Sequence, residues 1–316
     1  MSSAYSIFHI VEVQLIPNIP GNARWVQHGI TVAGGRGWGS ATNQLYYPHS
    51  LFIDDDETIV IADWGNGRII QWKMGDTNGQ IVAGDHGRGN RLDQLENPTD
   101  VLIDKETNSL IICDIGNERV LRWSRGSDTT EGEILLDNIT CVGLAMDDQR
   151  YLYVSGDEKV TRYQMGDKNG TIVAGGHGKG ASLNQLNEPT YIFVDRQQAI
   201  YVSDRDNHRV MKWDKGAKEG IVVAGGEGKG NNLTQLSYPQ GLFADTLGNI
   251  YVTDQGNERV MRWPNGAKQG TVILGGNGRG NRGNQLNGPM DLSVDRYGHL
   301  YVVDNGNYRV QRFYIE

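Results

Sequence analysis

The sequence predicts an all-β chain closed into a six-bladed β-propeller, with four antiparallel strands in each blade. Three observations carry this. A unit of about fifty residues recurs, the signature of a solenoid, propeller or array. Asp204-Arg-Asp-Asn207-His-Arg209-Val210-Met211 returns as Asp254-Gln-Gly-Asn257-Glu-Arg259-Val260-Met261 and as Asp304-Asn-Gly-Asn307-Tyr-Arg309-Val310, with earlier copies starting at Asp63 and Asp114 and a worn one ending at Lys159-Val160. Each unit splits into four short strand-like runs joined by turns. The two ends of the chain also complement each other, as shown below.

The unit at residues 239–289 shows the pattern. Pro239 opens the apolar run Gly241-Leu-Phe-Ala-Asp245, and a turn at Thr246-Leu-Gly-Asn249 follows. Ile250-Tyr-Val-Thr-Asp254 and Arg259-Val-Met-Arg-Trp263 have the β-branched and aromatic content of strands. The fourth run is Thr271-Val-Ile-Leu274, and a Gly-rich loop from Gly275 leads through Gln285-Leu286 to Pro289. Nothing repeats with a helical period. The last unit stops after its third strand, Arg309-Val-Gln-Arg-Phe313, while Gly29-Ile-Thr-Val-Ala-Gly-Gly35 is an orphan fourth strand matching Gly170-Thr-Ile-Val-Ala-Gly-Gly176. One N-terminal strand completing a C-terminal blade closes the ring and removes an open edge.

The pattern Pro-x-Gly followed by Tyr-Val-x-Asp-x-x-Asn-x-Arg-Val resembles the NHL repeat, over roughly residues 29–313. The resemblance implies a six-bladed propeller. It does not imply one chemistry, since related propellers include peptide-amidating lyases, lactonases, RNA-binding modules and extracellular interaction domains.

The repeated polar residues read as structural, because a functional site rarely needs five copies. They are Asp63, Asn66 and Arg68; Asp114, Asn117 and Arg119; Asp204, Asn207 and Arg209; Asp254, Asn257 and Arg259; and Asp304, Asn307 and Arg309. Asp and Arg bracket a turn and can pair, and the short Asn suits a left-handed turn position. Trp72, Trp123, Trp213 and Trp263 end the third strands and are expected between blades. The Gly-rich loops, each leading to Gln-Leu (Gln44, Gln94, Gln185, Gln235, Gln285), read as connectors rather than phosphate cradles, because no helix follows them.

The repeat breaks once. Between the second and third units the Gly-rich loop is missing, and Gln94 and Gln185 stand 91 residues apart. Both cysteines lie there. Cys113 ends a second strand, and Cys141 stands where other units have the Pro of their first strand. The two could meet across neighbouring blades as a disulfide, the alternative being two buried free thiols. Asn138-Ile-Thr, Asn169-Gly-Thr and Asn232-Leu-Thr have the form of N-glycosylation acceptors in loops. Together with the cysteine pair they favour an extracellular or secreted glycoprotein, with a cytoplasmic protein as the alternative.

A net charge of −8 and the lack of any Lys/Arg run argue against a nucleic-acid partner, and no apolar stretch is long enough to span a membrane. A catalytic site would be expected where first strands line the central channel. Asp100, Asp291, His49 and Ser50 come from three consecutive blades and form the candidate cluster, where oxygen ligands would suit calcium. Convergent histidines of the amidating-lyase kind are lacking, and no nucleophile elbow appears. The reading is therefore a non-catalytic propeller without cofactor, an interaction or structural module. The alternative is a lactonase-like or lyase-like enzyme with a divalent metal in the channel. Residues 1–28 form an N-terminal extension ahead of the propeller at 29–316. Its segment Ser6–Ile16 alternates like a strand. It is expected to dock on its own propeller or to add to a neighbouring subunit, which would give homo-oligomers or filaments. A protein partner would otherwise engage the loop faces.

Overall fold

A computed structural model describes residues 16–126 and 129–316. Among these residues, 24 strands form six four-stranded antiparallel sheets, and the only helical elements are five three-residue 3-10 turns. The innermost strands are Pro48–Ile53, Pro98–Asp104, Gly143–Met146, Pro189–Val194, Pro239–Ala244 and Pro289–Val294, one for each of blades one to six. Each packs on the next, and the sixth returns to the first, which makes the ring. Ile30–Gly34 is the outer strand of the sixth blade, paired with Arg309–Phe313 from Ile30↔Arg312 to Gly34↔Arg309. The predicted closure is therefore the one observed.

The repeated Asp, Asn and Arg tie each blade to the loop that delivers the chain into it. In the first blade the Asp63 carboxylate accepts from the Tyr46 N–H (2.7 Å), Asn66 Nδ2 (2.7 Å) and Arg68 Nε (2.8 Å). Arg68 then donates to the carbonyls of Ser40, Ala41 and Gln44 in the preceding Gly-rich loop. The same set recurs around Asp114, Asp204, Asp254 and Asp304. Burial pushes the Asp63 carboxyl above its usual range, and Arg68, Asn66 and the Tyr46 N–H oppose that shift. The loop glutamines donate to carbonyls of their own loops, as Gln44 Nε2 does to Arg36.

One sequence expectation needs correcting here. The repeat Asn does not take the left-handed position. It sits inside the 3-10 turn, and the following residue is left-handed: Gly67, Glu118, His208, Glu258 and Tyr308, with φ between 50° and 63°. The Asn is needed for its amide, which bridges the Asp carboxylate and a loop glycine carbonyl, as Asn257 does to Asp254 and Gly230.

A second repeated carboxylate ends four of the inner strands. Asp147, Asp195, Asp245 and Asp295 each accept backbone N–H groups of the next turn and the hydroxyl of a tyrosine six residues on, Tyr153, Tyr201, Tyr251 and Tyr301. Trp72, Trp123, Trp213 and Trp263 are buried in apolar clusters that run from blade to blade.

Residues 16–28 dock on the closing blade. Ile19 and Trp25 are buried, the Trp25 indole donates to Gly298 O (2.9 Å), and the Val26 N–H donates to Tyr314 O (2.8 Å). The predicted strand at 6–16 lies, except for Ile16, outside the described residues. No helix among the described residues is long and apolar enough to cross a membrane.

Candidate functional site

The central channel is closed partway along. Tyr191, on the inner strand of the fourth blade, donates its hydroxyl to the carbonyl of His49 on the first blade at 3.0 Å. In a ring of six these blades face each other, so the side chain lies across the channel like a bolt. It separates two cavities. On the face carrying the Asp-Asn-Arg turns lies a mouth of ≈ 490 Å³, lined by residues that include Tyr47, His49, Trp64, Tyr238, Gln240 and Met290. On the opposite face lies a cavity of ≈ 150 Å³ whose apolar wall includes Leu51, Leu102, Met146, Phe193 and Phe243, with Asp100, Tyr191 and Asp291 at its polar end. A larger open groove of ≈ 1410 Å³ runs along the fourth and fifth blades, away from the channel chemistry.

The predicted cluster is therefore divided. Asp100 and Asp291 come together, whereas His49 lines the mouth and stacks on Trp64 with ring centroids 5.3 Å apart and planes at 9°. Burial lowers the His49 pKa to about 4, so its ring is neutral at physiological pH. The two carboxylates are committed to backbone. Asp100 accepts from its own blade at Val101 N (2.8 Å) and from the next blade at Leu144 N (2.7 Å). Asp291 does the same with Leu292 N (2.8 Å) and Leu51 N (3.0 Å). Each thus braces two neighbouring blades at the ring's inner edge. Gly241 makes room for this, because a Cβ there would collide with the Asp291 carboxylate. Burial pushes Asp100 up to about 7, against the backbone N–H groups and the nearby Ser50 hydroxyl. Asp291 is pushed well above the carboxylate range by burial and by the Asp100 charge. Among the described residues no group of three or more His, Cys, Asp or Glu side chains is placed to hold a metal ion.

Cys113 and Cys141 form a disulfide with Cα atoms 5.4 Å apart. The repeat explains its position. In the third, fourth and fifth blades the residue at the corresponding end of the second strand is an inter-blade fastener, whereas Ala62 and Val303 hold that place in the first and sixth. Ser155 Oγ donates to Thr190 O, Ser203 Oγ to Gln240 O, and Thr253 Oγ1 to Met290 O (3.0 Å). At Cys113 the same reach to the next blade is covalent. Asn138, Asn169 and Asn232 are all exposed.

Sequence reasoning pointed to the break in the repeat and to the channel cluster, of which His49 lines the mouth, and the mouth itself is built from the regular blades one, four, five and six. The signal available was the residue after each repeat Asp. Trp64, Arg205, Gln255 and Asn305 occupy that position within an otherwise constant frame, and all four line the mouth.

The profile of the NHL repeat matches residues 286–313. No curated protein matches the sequence. Among solved structures, the chain is similar to an auxiliary nutrient binding protein from Bacteroides thetaiotaomicron, with 14% identity, a TM-score of 0.66 and 96% of this chain and 76% of that chain covered. It is similar to a catalytically inactive virginiamycin B lyase from Staphylococcus aureus with quinupristin (10% identity, TM-score 0.60, coverage 92% and 99%). It is also similar to a chain of a nidogen/laminin complex (17% identity, TM-score 0.56, coverage 72% and 79%). These likenesses concern the fold. The NHL repeat is thus matched in the last blade, and its Asp, Asn and Arg recur in four other blades of this six-bladed β-propeller.

Proposed function

We propose that this propeller is a non-catalytic binding module, working outside the reducing cytoplasm, that takes its partner at the mouth of the closed channel. The observation that carries the reading is the Tyr191–His49 bolt, which turns the channel from a conduit into a recess with a floor. The carboxylates that would otherwise suggest catalysis are spent on bracing blades. A concave, largely preformed recess with aromatic walls and a few polar groups is the usual form of a binding site. The disulfide supports an oxidising compartment. Among the solved structures of like fold are a nutrient binding protein and a member of a protein–protein complex, which fits binding as the use of such a scaffold.

Methionine-methyl NMR tests this reading. Met290 lines the mouth and Met146 the opposite cavity, so one spectrum reports on both. Titration with a fragment library is expected to move Met290 for a distinct set of fragments. Fragments that shift Met146 or other methionines while none shifts Met290 would overturn the assignment.

A further inference from the structure

The mouth has a chemistry that selects among ligands. Gln240 is 3% exposed. Its Nε2 donates to Gln255 Oε1 (3.2 Å), and Gln255 Nε2 in turn reaches Met290 Sδ (2.9 Å). Its Oε1 is buried with no hydrogen-bond partner among the described residues. A buried carbonyl oxygen without a donor is costly, and a ligand hydroxyl in the mouth would satisfy it. Among the described residues no carboxylate lines the mouth, and the one cation lining it, Arg205, is already paired with Asp206 (2.9 Å). A cationic ligand would find no partner there, and an anionic one would meet only cations already engaged, Arg205 with Asp206 and Lys229 on the rim with Tyr238.

The second observation lies on the rim. In the Gly-rich loops, the residue bridged to the Leu of Gln-Leu is Arg88, Lys179, Lys229 or Arg279 in four blades, and Trp38 in the first. Those cations cover or pair with the neighbouring blade entry, as Lys229 does over the Tyr238 ring at 4.3 Å and Arg88 does with Glu96. Trp38 leaves an aromatic path instead. Its centroid is 5.5 Å from Tyr46, Tyr46 is 4.9 Å from Tyr47, and Tyr47 borders the mouth. Trp38 is 65% exposed and Tyr47 is 37% exposed. Monomeric proteins rarely leave so connected an apolar surface without a use.

Flat apolar faces beside carboxamides, with no charge to satisfy, suit a ligand that has apolar ring faces and many hydroxyls that both donate and accept. We propose that the mouth and the Trp38–Tyr46–Tyr47 path bind a neutral oligosaccharide, with Gln240 Oε1 accepting a sugar hydroxyl and the aromatic residues underlying successive rings. This rests on the mouth being the binding site, and the test separates the two ideas.

Calorimetry with cellotetraose, maltotetraose and chitotetraose as probes, and a heparin tetrasaccharide as the charged comparator, is run on the full chain beside Trp38→Ala and Gln240→Met. The expected result is binding of at least one neutral probe, weak or no binding of the charged one, and a loss of tenfold or more in each variant. Trp38→Ala removes an exposed side chain, so its fold is not at risk, and matching thermal melts check the Gln240 variant. If no neutral probe binds at millimolar concentration while fragments still shift Met290, the saccharide class is overturned and the mouth reading stands. If neither responds, both fail. Unaltered affinity in both variants would overturn the assignment of these residues.

Discussion

Tyr191 and His49 are 142 positions apart in sequence and hydrogen-bonded at 3.0 Å across the channel, hydroxyl to carbonyl. Burial, with the Asp291 and Asp100 charges nearby, raises the tyrosine's pKa well above its ordinary value, so the hydroxyl keeps its proton as a donor. Tyr191→Phe is expected to cost about 1 kcal/mol, the worth of one neutral hydrogen bond, and Tyr191→Ala about 3–5 kcal/mol for a deleted buried ring. Urea unfolding measures both. Equal, negligible effects would mean that the bolt carries no stability.

The hydroxyl fasteners at Ser155, Ser203 and Thr253 make the disulfide a replaceable part. Cys113→Ala with Cys141→Ala is expected to cost roughly 2–4 kcal/mol. Cys113→Ser with Cys141→Pro restores the residues found at Ser203 and Pro239 in a regular blade. It should recover about 1 kcal/mol of that through a new inter-blade hydrogen bond. Thermal and denaturant midpoints of the two double variants, compared directly, decide this.

Within one repeat set the parts are unequal. Asp254→Ala leaves the Arg259 guanidinium buried without its partner and should cost about 3–5 kcal/mol. Asn257→Ala removes an amide that bridges Asp254 and Gly230, and should cost about 1 kcal/mol. A reversed order in chemical denaturation would contradict the role assigned to the ion pair.

The channel carboxylates tie stability to pH. Asp100 is raised to about 7 from an ordinary 3.8, so the folded chain holds this proton more tightly than the unfolded one. Its contribution is fully present below pH 3.8 and is lost as pH rises through about 7, and Asp291 acts in the same direction. His49, lowered to about 4, acts oppositely, its contribution being lost as pH falls below 6.5. Above pH 6.5 the carboxylates therefore act without it, and from that group of three stability should fall toward pH 8. Carboxyl carbon-13 NMR should give Asp100 a midpoint near 7. Asp100→Ser, which installs the residue found at Ser50, should lower the Asp291 midpoint by removing the neighbouring charge. An Asp291 midpoint unchanged in that variant would rule out the coupling.

The frame was legible in the sequence because it is periodic. Ring closure by the strand at 30–34 follows from one missing and one surplus strand, and the pairing of Asp with Arg follows from their places around a short turn. The Cys113–Cys141 contact could be anticipated because second-strand ends and first-strand starts meet on one face. The Asp–Tyr pairs at the opposite face, such as Asp245 with Tyr251, were equally periodic but are masked by the louder motif. The channel was harder to read. Which of Ser50, Asp100, Tyr191 and Asp291 meet depends on how far each reaches into a space defined by all six blades, and no local pattern encodes that. The commitment of the two aspartates to Leu144 and Leu51 is likewise a relation between blades rather than within one.

The strand at Ile30–Gly34 finds its place against Arg309–Phe313. During synthesis this strand must wait until Arg309–Phe313 has been made before its hydrogen bonds can form, and until then both rims of an incomplete ring offer unpaired backbone. Such distant pairing is slow to form. A ribosome stalled shortly before Arg309 would hold five finished blades and a sticky gap, so the aggregation risk of the open ring lasts until Arg309–Phe313 has been made and paired.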